Sequence, residues 1–217
     1  LLHFPLACGD RYLWTLPMFH ANGWTFTWMV TAVGATHICL RKVDPAQIFP
    51  LVRAEGVTAL CAAPTVLIGL AHAAEALRAG VPDGVRVLTA GAPPAAATID
   101  AIEEGLGWRI TQGYGLTETA PFITVCEPRP EHAALTPTAR AAIKARQGVE
   151  LITSGELRVV DSSGVEVPQD GEARGEIVVR GNVVMQGYFN DPEATERAMA
   201  DGWFHTGDAA GVHPDGY

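Results

Sequence analysis

Residues Thr111–Thr119, with the sequence TQGYGLTET, bring several chemical groups together within a short stretch. Glycines flank Tyr114 on both sides, so the backbone there can take positive φ angles or let a ligand approach closely. Thr117 then supplies a hydroxyl and Glu118 a carboxylate. Amides and a hydroxyl can bind phosphate oxygens, while a carboxylate can hold Mg²⁺. The stretch predicts a loop that binds a phosphate and its cation, although a turn before a helix would also explain the glycines.

Three further stretches accompany this one in the order of a known family. They are Pro17–Gly23 (PMFHANG), Gly91–Pro93 (GAP) and Trp203–Asp208 (WFHTGD). Together with TQGYGLTET they resemble the signatures of the adenylate-forming (AMP-binding) superfamily, in its acyl-CoA synthetase and fatty-acid–CoA ligase branch. By themselves, GAP and TGD are ordinary turn sequences. They support the resemblance only through their position relative to TQGYGLTET.

The resemblance implies an acyl pocket beside the first of these stretches. His20 would lie where the substrate carboxylate arrives, and Trp24 and Gly115 would line the acyl path. An imidazole there could donate a hydrogen bond to the carboxylate or gate the pocket. A loop histidine satisfied by backbone is the alternative. Val66 and Phe122 are further candidates for the pocket lining.

The resemblance also implies a nucleotide site. Tyr114 would stack on or flank the adenine, and Thr117 would bind the α-phosphate. Glu118 would coordinate Mg²⁺, and Asp208 would accept hydrogen bonds from both ribose hydroxyls, as an acceptor-only carboxylate can. The full implied nucleotide-binding set is Gly91, Ala92, Pro93, Gln112, Gly113, Tyr114, Gly115, Thr117 and Asp208, and the implied catalytic set is His20, Thr117 and Glu118.

The elements that position these residues follow from the hydrophobic pattern. Strand and helix patterns alternate over residues 36–112, which predicts an α/β fold with a mostly parallel sheet flanked by helices. Ligands bind such sheets beyond the carboxyl ends of the strands, where the GAP turn and TQGYGLTET are expected. The pattern predicts one helix from Pro64 or Thr65 to about Ala79, and a strand over Arg109–Gln112.

The pattern changes after residue 125. Residues 126–150 are predicted to be a connector with a short helix. Short strands with Asp and Gly turns over residues 151–217 predict a small β-barrel-like or sandwich subdomain. The predicted domains are therefore 1–125, with the acyl and nucleotide site, then the connector 126–150 and the β subdomain 151–217. The stretch Gly175–Thr195 is interpreted as scaffold, because it holds few converging polar groups.

The composition excludes several classes. A formal net charge of -9 over 217 residues argues against nucleic-acid binding. The cysteines are far apart without a CxxC pair, which favours reduced thiols in the cytoplasm over a zinc site or a disulfide framework. No GxSxG occurs, so a serine hydrolase is not indicated. The four cysteines of the chain are Cys8, Cys39, Cys61 and Cys126.

No transmembrane segment or signal peptide is expected. The most apolar stretch, Trp24–Leu40, is interrupted by threonines, Gly34 and His37, whereas a span needs about 20 mostly apolar residues. Leu1 opens without a basic start.

The resemblance covers the whole chain but only part of the family's length. A phosphate loop of the TSGTTGxPKG type and the C-terminal lysine of the family do not occur within these residues. The sequence is therefore expected to be an internal fragment of the large N-terminal domain, inactive by itself.

The leading hypothesis is an ATP-dependent acyl-CoA ligase of fatty-acid or lipid metabolism. It would activate a short- or medium-chain fatty acid or an aryl acid, with ATP, Mg²⁺ and CoA as co-substrate. An inert nucleotide-binding module and a ligase that loads a carrier protein are the alternatives. A homo-oligomer is left open.

Overall fold

The computed structural model describes residues 3–217, apart from the side chains of residues 21–24. The chain forms two compact units. The first comprises Leu1–Gly113 and Cys126–Gln147, and the second comprises Tyr114–Val125 and Gly148–Tyr217.

The first unit is a parallel sheet with helices between its strands. Its strands pair in the order β2-β1-β3-β4-β5, each parallel to its neighbours. The α/β fold predicted from the alternating pattern is confirmed. The strands are β1 Arg11–Trp14, β2 Thr36–Cys39, β3 Ala59–Ala62, β4 Arg86–Thr89 and β5 Arg109–Gly115. The helices are α1 Ala21–Ala32, α2 Pro45–Glu55, α3 Pro64–Ala71, α4 Glu75–Arg78, α5 Ala96–Leu106 and α6 Pro137–Lys144.

Local signals define helix α2. The Asp44 side chain accepts a hydrogen bond from the Ala46 amide at 2.9 Å, and Pro45 occupies the first helical turn, where it loses no backbone bond. Gly56 ends the helix in the left-handed conformation, with φ 58°. The predicted Asp-Pro helix start is therefore confirmed.

The predicted helix from Pro64 to about Ala79 is wrong, because the chain breaks it into α3 and α4. Helix α3 ends at Ala71, and Ala74 is extended. None of the residues from 72 to 79 is fully buried, so little apolar surface supports a continuous helix there. Arg53 instead donates to the Leu77 and Ala79 carbonyls at 2.8 and 3.1 Å, which satisfies the end of α4.

Buried side chains from strands and helices form a hydrophobic core in the first unit. Trp108 and Phe49 are its largest buried aromatic side chains, and the Trp108 indole donates to the Pro82 carbonyl at 3.1 Å. The carboxylate of Glu103 in α5 accepts a hydrogen bond from the Ile110 amide at 2.9 Å and another from the Lys144 ammonium. The carboxylate thus ties strand β5 to helix α6. Other members of the core are Leu13, Ile48, Leu60, Leu67, Leu70, Val87, Ile99 and Ile102.

The second unit is antiparallel. Strands β6 and β7 pair antiparallel, and a four-stranded antiparallel sheet has the order β10-β11-β9-β8. The β subdomain predicted for the second part of the chain is confirmed in this form. The elements are β6 Phe122–Cys126, β7 Val149–Glu150, β8 Glu156–Val160, β9 Gly175–Arg180, α7 Pro192–Ala198, β10 Met199–Ala200 and β11 Trp203–Ala210.

A small apolar cluster and Asp turns hold the second unit together. Ile123, Val159, Ile177 and Val179 form the cluster, with Tyr114 packed against it. The Asp161 carboxylate accepts the Ser163 and Val165 amides, so it closes the turn after β8. Across the described residues, no helix combines the length and the apolar character that crossing a membrane requires.

Candidate functional site

In the first unit, two predicted stretches lie at the carboxyl ends of neighbouring strands. Thr89, at the end of β4, pairs in register with Gln112 of β5. Both are buried, and within the described part of the chain Thr89 Oγ1 and Gln112 Oε1 have no hydrogen-bond partner. Buried polar atoms are nearly always satisfied. These two atoms therefore mark a place where a bound polar group would be stabilised.

The GAP turn follows β4 directly. Gly91 has φ 93°, a conformation that L side chains rarely adopt, although a Cβ there would meet no atom within 4 Å. The glycine is thus required by the backbone angle. Gly91, Ala92 and Pro93 are all exposed, so this turn offers its backbone at the ligand-binding edge of the sheet.

The predicted acyl residues are less closely defined. His20 is exposed and ends the turn before α1, where its amide donates to the Pro17 carbonyl at 3.1 Å. The side chain of Trp24 lies outside the described residues. Val66 packs against the core of the first unit from α3. The roles of His20 and Trp24 therefore stay predictions.

The central stretch is a strand followed by a turn: the strand predicted over Arg109–Gln112 is confirmed, and it continues over Gly113–Gly115, where a loop was predicted. Strand β5 runs through Gly113 to Gly115, and a short 3₁₀ turn follows at Thr117–Thr119. The buried Thr119 hydroxyl accepts the Leu116 amide at 2.9 Å and lies 2.8 Å from the Pro121 carbonyl. Thr119, to which the motif assigned no role, closes this turn. Thr117 is left exposed.

Gly115 is required by packing within the second unit. A Cβ built on it would lie 2.7 Å from the carbonyl carbon of Pro121 and 2.8 Å from Cα of Phe122, and closer still to the Pro121 oxygen. All three are backbone atoms. The absent side chain therefore lets the strand pass against the 121–122 backbone.

Tyr114 and Asp208, both predicted to bind nucleotide, are in direct contact. The Tyr114 hydroxyl donates to Asp208 Oδ2 at 2.6 Å, a short charge-assisted bond. Burial, and then the bond to Asp208, raises the pKa of Tyr114, so the phenol stays a proton donor at neutral pH. Residues 94 positions apart in sequence thus form one polar pair.

A bulge in β11 presents Asp208. Register with β9 shifts between His205 and Ala209, and Gly207 within the bulge has φ 75°. A bulge of this kind redirects a side chain at a strand edge. The Thr206 hydroxyl accepts the Asp208 amide at 3.1 Å and lies 2.8 Å from the Ile177 carbonyl, which holds the bulge on β9.

A second carboxylate fastens the same bulge. Glu176 of β9 accepts the Gly207 amide at 2.9 Å through Oε1 and contacts His205 Nδ1 at 2.8 Å through Oε2. The hydrogen bond from His205 holds the pKa of Glu176 below its ordinary value. Glu176 was not identified from the sequence, because a Glu on a strand followed by apolar residues has no distinguishing pattern.

Glu118, the predicted metal ligand, also has a partner that was missed. Its Oε1 accepts the Tyr188 hydroxyl at 3.0 Å, and its backbone carbonyl accepts the Met185 amide at 2.8 Å. Tyr188 lies in the stretch interpreted as scaffold. In the sequence, Tyr188 is distinguished only by its position after a glycine and before Phe-Asn-Asp, which does not indicate a contact with Glu118.

The donor set agrees with a cation held mainly by a ligand's phosphates. No cluster of three or more His, Cys, Asp or Glu side chains suited to a metal ion occurs in the described part of the chain. Mg²⁺ in nucleotide sites is commonly bound by one or two carboxylates together with phosphates. A partly exposed Glu118 fits that arrangement, whereas it could not form a closed protein cage alone.

Comparison with protein families identifies a match over most of the chain. The model of the AMP-binding enzyme family matches residues 2–189. A probable acyl-activating enzyme 6 from Arabidopsis thaliana is 49% identical, and a 4-hydroxybutyrate–CoA ligase 2 from Metallosphaera sedula is 49% identical. Each alignment covers 100% of this chain and 39% of the relative. The chain thus spans about two fifths of the length of these curated relatives.

Solved structures share the fold. The N-terminal domain of FACL13 from Mycobacterium tuberculosis has a TM-score of 0.80 at 28% identity, covering 98% of this chain and 50% of that one. O-succinylbenzoate coenzyme A synthetase from Bacillus subtilis, in complex with ATP and a magnesium ion, has a TM-score of 0.76 at 25% identity. That match covers 95% of this chain and 40% of the synthetase.

Proposed function

Because the chain belongs to the AMP-binding enzyme family, we propose that it forms part of an ATP-dependent acyl-CoA ligase. The substrate is a short- or medium-chain fatty acid or an aryl carboxylic acid. The acid's carboxylate attacks the α-phosphorus of ATP, the bond to the β-phosphate breaks, and pyrophosphate leaves. The CoA thiol then attacks the acyl carbon of the adenylate, and AMP leaves as the thioester forms.

The contact between Tyr114 and Asp208 carries this proposal. The phenol uses one lone pair of Asp208 Oδ2, and a carboxylate has about four acceptor sites, so capacity remains for both ribose hydroxyls. The half-buried Tyr114 ring offers an aromatic face for the adenine. By the family resemblance, Gly91, Ala92 and Pro93 are further proposed nucleotide-binding residues. Gln112 and Gly113 continue this lining along β5.

The phosphate end of the proposed site lies at the 3₁₀ turn. The exposed Thr117 hydroxyl donates to the α-phosphate, and Glu118 holds Mg²⁺. The bound cation neutralises the charge that builds as one anion attacks another. With no protein nucleophile assigned, catalysis rests on positioning and on charge stabilisation.

The acyl end of the proposed site has His20, Trp24 and Gly115. His20 donates a hydrogen bond to the incoming carboxylate, and its exposure agrees with access from solvent. The relatives' names support CoA as the acceptor in preference to a carrier protein, since several are CoA ligases. Testing whether CoA accelerates the release of AMP separates these acceptors.

Carboxylate-dependent ATP–pyrophosphate exchange tests the proposal. The chain itself and a version extended at both ends are assayed, and exchange is expected in the extended version. Absence of exchange from both would favour an inert nucleotide-binding module. In the active form, Glu118→Ala should lower exchange by at least about 100-fold, since one electrostatic group of this kind contributes about 10² to 10³ in rate.

Glu193→Ala is the matched control for this substitution. Glu193 is an exposed acid of the same unit in the first turn of α7, and its removal should leave exchange unchanged. Exchange at the wild-type rate in Glu118→Ala would contradict the metal assignment. A panel of carboxylic acids on the same protein identifies the acyl group.

A cytoplasmic location is also proposed. Cys8 and Cys39 are exposed free thiols, which a reducing compartment maintains. A related acyl-activating enzyme 5 from Arabidopsis thaliana is described as peroxisomal, so fractionation of the native protein should compare these two compartments. The acidic charge supports small-molecule partners in preference to nucleic acid, and size-exclusion chromatography tests for a homo-oligomer.

A further inference from the structure

The segment between β9 and α7 contacts Glu118 at two points. The Tyr188 hydroxyl is 3.0 Å from Glu118 Oε1, and the Met185 amide is 2.8 Å from the Glu118 carbonyl oxygen. Side chain and backbone of Glu118 are thus both bound by one segment about 70 residues away in sequence. The backbone bond from Met185 holds the main chain at Glu118 in place, and the phenol bond then restrains its side chain. Together the two contacts define the direction of the carboxylate better than either contact alone.

Tyr188 is itself anchored to the start of α7. Its amide donates to the Thr195 hydroxyl at 2.9 Å, and that hydroxyl lies 2.8 Å from the Asp191 carbonyl. Asp191 caps α7 by accepting the Ala194 amide at 2.9 Å. Gly187 has φ 153°, and a Cβ there would lie 2.7 Å from Cγ2 of Thr195. The tyrosine is therefore held on a defined backbone.

We propose that Tyr188 is a positioning residue for the metal-binding carboxylate of Glu118. The phenol holds Oε1, so that Oε2 is presented to the cation that accompanies the nucleotide phosphates. This inference rests on the proposed function, because it assumes that Glu118 is a metal ligand. It assigns a role in the reaction to a stretch that would otherwise be scaffold.

The expected size of the effect follows from other metal sites. A hydrogen bond from an outer partner orients a ligating carboxylate, and its removal typically costs about 10- to 100-fold in metal affinity. Tyr188 is exposed, at 38%, so water can replace part of the lost bond. An effect near the lower end of this range, about 10-fold, is expected for Tyr188→Phe.

Mn²⁺ serves as the probe, with its free concentration followed by electron paramagnetic resonance. The extended chain is titrated in the presence of AMP, as wild type, Tyr188→Phe, Glu118→Gln and Phe189→Ala. Tyr188→Phe should weaken Mn²⁺ binding about 10-fold while AMP affinity without metal stays unchanged. Phe189→Ala is the matched control, since this neighbouring aromatic side chain is 93% exposed, and it should bind Mn²⁺ as wild type does.

A double-mutant cycle separates positioning from a structural role. In a Glu118→Gln background, Tyr188→Phe should have no further effect on Mn²⁺ affinity. The inference is overturned if Tyr188→Phe binds Mn²⁺ as wild type does. It is also overturned if the substitution weakens metal-free AMP binding as much as Mn²⁺ binding, or still weakens Mn²⁺ binding in the Glu118→Gln background.

The proposed function has its own readout. If pyrophosphate exchange is absent from the wild-type extended chain while the Mn²⁺ results hold, the ligase assignment fails and the role of Tyr188 stands. If exchange is present and Tyr188→Phe leaves Mn²⁺ affinity and the Mg²⁺ dependence of exchange unchanged, the role of Tyr188 fails alone.

Discussion

Replacing Gly115 with alanine should destabilise the protein far more than an ordinary glycine-to-alanine change. The added Cβ would lie 2.7 Å from the carbonyl carbon of Pro121 and 2.8 Å from Cα of Phe122. Carbon atoms in contact normally lie about 3.5 to 4.0 Å apart. The two backbone segments must therefore separate by about 1 Å, since no rotamer change can move a main-chain atom.

The magnitude follows from the cost of overpacking. Extra methylene groups in a packed core typically cost about 1 to 3 kcal/mol when side chains can adjust. Here the neighbours are backbone, and the displaced segment carries the Thr119 hydrogen bonds to Leu116 and Pro121. We expect a loss of at least about 3 kcal/mol in the free energy of unfolding, a large part of the about 5 to 15 kcal/mol that holds a native protein together.

Urea unfolding followed by circular dichroism measures this loss, with Gly9→Ala as the control. A Cβ on Gly9 meets no atom within 4 Å, and Gly9 is not among the glycines with positive φ. Its replacement should leave stability within about 0.5 kcal/mol of wild type. A loss below about 1 kcal/mol for Gly115→Ala would refute the packing argument. Unchanged stability with altered acyl-chain preference would instead support the acyl-path role taken from the family.

Two further predictions concern the Asp208 bulge. Tyr114→Phe removes a hydrogen bond to a carboxylate that is already formed without ligand, so the free energy of unfolding should fall by about 1.5 kcal/mol. AMP affinity measured by calorimetry should fall as well, because Asp208 loses the partner that orients it; unchanged affinity would separate the Tyr114–Asp208 pair from nucleotide binding. The pKa of Glu176 is lowered in the folded chain by its bond with His205, so its contribution to stability is present above its ordinary pKa of 4.5 and is lost as pH falls below that value. Glu176→Gln should therefore be less stable than wild type at pH 7, and the difference should shrink on acidification; a difference independent of pH would contradict this assignment.

Local patterns predicted the elements that depend on neighbouring residues. The Asp44 cap, Pro45 in the first turn and Gly56 at the end define α2 within one stretch of chain, and such signals are readable from sequence. The split between α3 and α4 depends instead on Arg53, more than 20 residues earlier. A helical pattern alone carries no information about such a distant donor.

The same distinction between local signals and distant contacts applies to the candidate site. Residue types and spacing identified Tyr114, Glu118 and Asp208, because the family resemblance attaches a role to each. The partner Tyr188 could not be inferred, since its contact with Glu118 joins two stretches about 70 residues apart and a tyrosine beside Phe189 looks like an ordinary aromatic pair. A motif therefore predicts which residues carry chemistry, whereas a contact such as that between Tyr188 and Glu118 is found only in the fold.

The stretch TQGYGLTET therefore meets two separate demands. Gly115 and Thr119 satisfy packing and turn closure, as their contacts with the Pro121 backbone show. Tyr114 and Glu118 present groups suited to a nucleotide and its cation. Under the proposed function, loss of activity on substitution has a different meaning at these two kinds of position, because the first kind is expected to act mainly through stability and the second through ligand affinity. Stability and ligand affinity must be measured together before any residue of this stretch is assigned to chemistry.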